Sequence, residues 1–143
     1  VGVISGGTAS NVVPERATIE VDVRVSTQAE GERIITAITS LQPQLPGARL
    51  EISGGLNRPP MERTPQIVAA FERARELGQS LGLNLIEGST GGASDGNFTG
   101  ALGVPTLDGM GAVGDGAHSA DEYTLASSLI DKAALLAAIL TQW

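Results

Sequence analysis

A single imidazole stands in this chain, His118, within Gly111-Ala-Val-Gly-Asp-Gly-Ala-His118-Ser-Ala-Asp121-Glu122-Tyr123. Its small neighbours Gly116, Ala117 and Ser119 leave room for a bulky partner at the ring. Neutral imidazole is the commonest metal ligand and holds zinc at about 2.0–2.1 Å. A surface histidine between a loop and a helix fits the same spacing equally well. Asp121 and Glu122 are expected in the first turn of the last helix, where the helix dipole favours negative charge. Capping therefore suits them better than ligation. With no cysteine and no second histidine, nothing else here completes a shell of nitrogen and sulfur ligands. The expectation is one part of a larger enzyme.

Two further segments carry chemical potential. Thr90-Gly91-Gly92-Ala93-Ser94-Asp95-Gly96-Asn97-Phe98 is dense in glycine and short polar side chains. Such a loop exposes backbone N–H groups that can cradle a carboxylate or phosphate. It is equally a tight connection into a helix, with Ser94 or Asp95 as N-cap, and taken alone that simpler reading is favoured. It lacks the Gly-Lys-Ser/Thr ending of a phosphate-binding P-loop, and Ser94 lacks the Gly-x-Ser-x-Gly frame of a nucleophile elbow. Arg58 precedes Pro59 and Pro60. Prolines stiffen the backbone, and a rigidly presented guanidinium can grip a carboxylate with two parallel hydrogen bonds, although a solvated arginine is commoner. Asn11, before Val12-Val13-Pro14, reads first as a turn former.

The elements that must position these residues follow from periodicity. Ala17 to Val25 alternates apolar and polar residues, a half-buried strand, and Val1 to Ile4 is a shorter strand placed to pair with it antiparallel. Thr27-Gln-Ala-Glu30 opens a helix as a capping box. Ile34, Ile35, Ile38 and Leu41 give that helix its apolar stripe, and Pro43 and Pro46 end it. Arg49 to Ile52 resumes strand alternation. Gly54 to Met61 reads as a linker. Thr64-Pro65 starts a second helix with the hydroxyl as N-cap and proline at the first helical position, and Gly82 closes it. Leu83–Ile86 and Val104–Leu107 are short strands expected in a buried parallel sheet, and a last helix runs from about Thr124 to Trp143. The expected fold class is α/β with an α+β insert, divided into residues 1–56 and 57–143.

Composition narrows the function. The 143 residues carry a net charge of −7, which argues against nucleic acid, whose phosphates need a basic surface. There is no basic cluster to meet an anionic membrane, no apolar run near the ~20 residues needed to span a bilayer, and no visible signal peptide. Hydrophobic residues make up 41% and aromatics 3%, so any core is aliphatic. Without cysteine, redox chemistry assigns no compartment. Val1 falls inside a strand pattern, so the N-terminus is expected to be a cut edge.

Ser10-Asn11-Val-Val-Pro14, Ala17 to Arg24, Arg58-Pro-Pro-Met61, Thr90 to Asn97, Gly103 to Gly111 and Gly116-Ala-His118-Ser-Ala-Asp-Glu122-Tyr123 resemble, in this order, the zinc-dependent glutamate carboxypeptidase family. Acetylornithine deacetylase and succinyl-diaminopimelate desuccinylase share its superfamily. The resemblance covers essentially the whole chain, as the C-terminal portion of a family member. It implies the second half of a β-α-β-β-α-β dimerisation domain in residues 1–56, followed by the last part of a catalytic α/β domain. It implies paired zinc ions, with His118 as the late histidine ligand and the other ligands and the general-base glutamate upstream. Arg58 matches the arginine that binds a substrate carboxylate, and Asn11 matches an asparagine that stabilises the oxyanion or binds substrate. The loop with Gly91, Gly92, Ser94, Asp95 and Asn97 matches the one lining the substrate pocket.

The expected function is that of a co-catalytic zinc hydrolase acting on an amide bond next to a free carboxylate, in an N-acyl amino acid or a peptide. The whole protein would bind two zinc ions and form a homodimer through the first domain. This chain by itself is expected to bind zinc weakly at most and to be inactive. The rival reading is a non-catalytic dimerisation or small-ligand-binding module, because an open sheet edge can pair with a copy of itself.

Overall fold

The computed structural model describes residues 1–143, a mixed α and β structure with four helices and two two-stranded antiparallel sheets. The first sheet pairs β1 (Val3–Gly6) with β2 (Ala17–Glu20), Ile4 lying opposite Ile19 and Ser5 opposite Thr18. This is the expected antiparallel pairing, although both faces of the pair are exposed rather than one being buried, because nothing packs on the side carrying Ile4 and Ile19. Gly7, at φ 86°, starts the turn between the strands in a conformation that favours glycine.

The ladder stops at Glu20, although the alternating pattern runs on to Val25. Arg49–Ile52, Leu83–Ile86 and Val104–Leu107 also lie outside any ladder, so the expected parallel sheet is not formed. The reason is physical. Alternation dictates which side chains share a face, whereas a strand exists only where another backbone meets its N–H and C=O groups. These segments make no ladder; the Leu83 and Val104 N–H groups turn back instead to the carbonyls of Gly78 and Thr99.

Helices satisfy their hydrogen bonds locally, and they match expectation closely. In α1 (Gln28–Thr39) the Thr27 hydroxyl accepts from the Glu30 N–H at 3.2 Å. In α2 (Pro65–Ser80) the Thr64 hydroxyl accepts from the Ile67 N–H at 3.3 Å, with Pro65 at the first position. That helix closes as a glycine-terminated helix should. Gly82 sits at φ 76°, and the Leu83 N–H reaches back to the Gly78 carbonyl at 2.9 Å.

Of the remaining elements, the last helix is expected and the hairpin before it is not. Gly96–Ala101 forms α3, a short helix inside the glycine-dense segment. Gly114–Asp115 (β3) pairs with Tyr123–Thr124 (β4). The last helix, α4, spans Ala126–Gln142. Asp121 and Glu122 therefore lie in the turn before β4 rather than in a helical first turn, because the chain folds into a hairpin around His118 before the helix begins.

Helices α2 and α4 pack together. Ala70, Ala74 and Leu77, spaced along one face of α2, are buried together with Leu135 and Ala138 of α4. Only 9 of 143 residues are buried, so this helix pair is the one packed core. Large apolar side chains on the other face of α4 stay in solvent, Ile130 at 76% and Leu140 at 82% exposure.

Candidate functional site

The short helix α3 and the loop that enters it hold most of the expected site residues in one network. The Ser94 N–H donates to Asn97 Oδ1 at 2.9 Å, and the Asn97 amide donates to the Pro59 carbonyl at 2.8 Å. Asn97 thus ties the loop to the Arg58-Pro59-Pro60 segment. Ser94 Oγ accepts from the Gly96 N–H at 3.1 Å and donates to Asp108 Oδ2 at 2.8 Å. It is Ser94, therefore, that serves the start of α3, while the Asp95 side chain makes no capping bond.

That leaves the Asp95 carboxylate free for Arg58, whose Nη1 donates to Oδ1 at 2.9 Å. The Arg58 guanidinium also sits 5.1 Å from the centroid of the Phe98 ring, in cation–π range. The arginine side chain is 37% exposed and the aspartate 95% exposed. One face of the guanidinium is thus covered by Phe98, while its carboxylate partner projects into water. Exposed pairs of this kind contribute about 0–1 kcal/mol.

The glycine loop does not offer all of its N–H groups. Those of Gly92, Ser94, Gly96 and Asn97 are used internally, by Thr90 Oγ1, Asn97 Oδ1, Ser94 Oγ and the Ser94 carbonyl. The N–H groups of Ala93 and Asp95 alternate with them and have no protein acceptor. Gly91 has a further constraint. Its carbonyl accepts from Arg24 Nη1 at 3.1 Å, and a Cβ at this position would lie 3.2 Å from Arg24 Cδ.

His118 belongs to a different local structure. The β3/β4 pair closes the turn that carries it, and its backbone takes φ 67°, the only non-glycine residue with positive φ. The His118 N–H donates to Glu122 Oε2 at 3.3 Å. The hairpin is fastened to α4, since the Leu125 N–H donates to the Val113 carbonyl at 2.8 Å and Val113 N–H donates to the buried Ser128 hydroxyl at 2.9 Å. A shallow cavity of about 270 Å³ lies between Ala112, Asp115, Ala117, Glu122 and Tyr123.

The structure therefore joins Arg58, Ser94, Asp95 and Asn97, and links Gly91 to Arg24. No hydrogen bond connects His118 or Asn11 to that network, and Asn11 is exposed in the β1–β2 connection. No group of three or more His, Asp or Glu side chains comes together. A zinc site needs three or four protein ligands, so a complete zinc centre does not fit the residues of this chain alone. Sequence reasoning assigned no role to Asp108 and Arg24, which reach the loop from distant segments, or to Phe98, which stands at the end of the loop segment and packs on Arg58. For Phe98 the available signal is its aromatic ring one turn into a polar, glycine-rich helix.

Peptidase family M20/M25/M40 matches the chain over residues 3–142. Carboxypeptidase G2 of Pseudomonas sp. (strain RS-16) is 26% identical to it over 123 residues. That stretch is 82% of this chain and 29% of the relative, so the chain spans less than a third of the protein it matches. No solved structure matches.

Proposed function

Since the chain belongs to peptidase family M20/M25/M40, we propose that it is the C-terminal part of a zinc-dependent hydrolase that cleaves an amide bond beside a free carboxylate. Residues 1–56 would be the second half of an inserted dimerisation domain and residues 57–143 the end of the catalytic domain. Carboxypeptidase activity and N-acyl amino acid deacylation are the two forms of this chemistry. The whole protein would act as a homodimer.

The observation that carries the reading is the carboxylate already seated on Arg58. Asp95 accepts one hydrogen bond from its Nη1 at 2.9 Å, at the place where a substrate carboxylate would make two. Because Asp95 is almost fully in water, replacing it costs little, and guanidinium geometry favours a planar carboxylate. The Gly91, Ala93 and Asp95 N–H groups, in the same loop, are donors left for the substrate. His118 would give one imidazole to a metal centre whose other ligands and general base come from polypeptide outside these residues. Asn11 would approach the scissile group from the first domain. By this reading the 143 residues alone hold zinc weakly at most and hydrolyse nothing.

The test is to prepare the full-length protein with zinc and assay amino acid release from N-acyl glutamates and related acyl amino acids. Activity is expected, with His118→Ala losing bound zinc and Arg58→Ala raising KM about tenfold or more, the scale of one charge-assisted hydrogen bond. A fully zinc-loaded protein inactive on every such substrate would overturn the proposal.

A further inference from the structure

Asp108 lies between the segment Val104–Leu107 and the turn at Gly109, which has φ 67°. One of its carboxylate oxygens, Oδ1, accepts from the Gly109 N–H at 2.8 Å, which fixes the carboxylate plane. The other, Oδ2, accepts the Ser94 hydroxyl proton at 2.8 Å. With its proton directed at Asp108, the Ser94 oxygen presents lone pairs to the Gly96 N–H at 3.1 Å. A second hydroxyl contact, Thr99 Oγ1 to Thr106 Oγ1 at 2.9 Å, runs parallel to it between the same two segments. The fit is close, since a Cβ at Gly96 would lie 3.1 Å from Ser94 Oγ and 3.2 Å from Thr106 Cγ2.

From this geometry we infer that Asp108 is a positioning residue for substrate carboxylate binding, acting through the Ser94 hydroxyl. It holds the loop in the form that uses the Gly96 N–H internally and leaves the Ala93 and Asp95 N–H groups open. The same form keeps Asn97 on the Pro59 carbonyl, next to Arg58. A serine hydroxyl can donate in several directions. Without an acceptor at Asp108, it turns toward water or a neighbouring carbonyl, and the loop loses its fixed pattern of donors. This inference rests on the proposed carboxylate-directed hydrolysis.

The experiment compares kcat and KM of the zinc-loaded full-length protein with Asp108→Ala, Asp108→Asn, Ser94→Ala and the Asp108→Ala/Ser94→Ala double variant. Each is tested on an acyl amino acid and on its carboxamide analogue. Asp108→Ala is expected to raise KM for the acid about tenfold, which is about 1.4 kcal/mol, with kcat changed less than threefold. The preference for acid over carboxamide should fall by the same factor. Asp108→Asn keeps an acceptor oxygen and should recover most of the loss, and the double variant should be no worse than the worse single one. Amide exchange at Gly96, read by mass spectrometry on the same proteins, should quicken in the alanine variants only. Wild-type KM and wild-type exchange in Asp108→Ala would overturn the inference, as would an Asp108→Asn protein as impaired as Asp108→Ala. Failure of Asp108→Ala to fold leaves Ser94→Ala and Asp108→Asn to decide by the same readouts. A wild-type protein active on neither substrate would instead sink the proposed function.

Discussion

Leu135 is the one large side chain of this molecule with no exposure at all, and the stability of the α2/α4 pair should turn on it. Replacing it by alanine removes three carbons from the helix interface. At about 0.8 kcal/mol per buried methylene the transfer loss alone is about 2.4 kcal/mol. The buried positions Ala70 and Ala74 of α2, the helix packed on α4, carry only methyl groups, which cannot swing in to fill the space, so a cavity cost adds to this. The expected total is about 3 kcal/mol. Leu140 lies on the same helix and is 82% exposed, so Leu140→Ala should change stability by less than about 0.5 kcal/mol. Urea denaturation of the 143-residue chain, followed by far-ultraviolet circular dichroism, separates the two. Leu135→Ala should shift the midpoint with an unchanged slope, while Leu140→Ala superimposes on the parent curve. Equal shifts for the two substitutions, or none for Leu135→Ala, would refute the assignment of the core to this helix pair.

Other outcomes follow from local geometry. The Glu30 carboxyl lies below its ordinary value of 4.5, chiefly because the Arg33 side chain hydrogen-bonds it; desolvation opposes this, and the charge of Arg33 adds a smaller lowering. The contribution of a carboxylate with a lowered folded-state value is present above the ordinary value and is lost as pH falls through the lowered one. A carboxyl-carbon NMR titration should place the Glu30 transition below 4.5, and Arg33→Ala should move it back up; an unmoved midpoint would remove the Arg33 pair as the cause. At Gly114 any Cβ would run into the Tyr123 carbonyl, so Gly114→Ala should open the β3/β4 hairpin. If His118 ligates zinc in the full-length protein, as proposed, zinc affinity should then drop roughly 10–100-fold, as for a disturbed outer shell, with the imidazole chemically untouched. Unchanged zinc retention there would show that the hairpin does not set the ring's position.

What could be read in the sequence is what the backbone satisfies over short distances. Thr64 with Pro65, and Gly82, did in the structure what their spacing promised, because caps and helix ends are built within one turn; of the capping box only the Thr27 half forms, since the Glu30 carboxylate turns to Arg33 instead. Strand patterns carried half the information. Leu83–Ile86 and Val104–Leu107 have strand-like residues, but their partners are not specified by their own order. The start of helix α3 was legible in Ser94-Asp95, the expected cap, although Gly96, Asn97, Thr99 and Gly100 are poor helix formers. In the site, the loop and Arg58 stood out individually. Their connection through Asp95, Asn97 and Pro59 joins segments 37 and 38 residues apart, and no local pattern reports on such a distance. The hairpin around His118 was equally invisible, each strand being two residues long.

The left-handed backbone at His118, φ 67°, sets two demands against each other. Glycine or asparagine meets such a dihedral with less strain than histidine, so drift toward either would reward folding while abolishing the imidazole. Library screens that score thermal resistance alone should therefore enrich glycine at position 118, and screens that score turnover should remove it. Should both screens behave so, the strained backbone at His118 would be the cost of the metal-ligand role proposed for it.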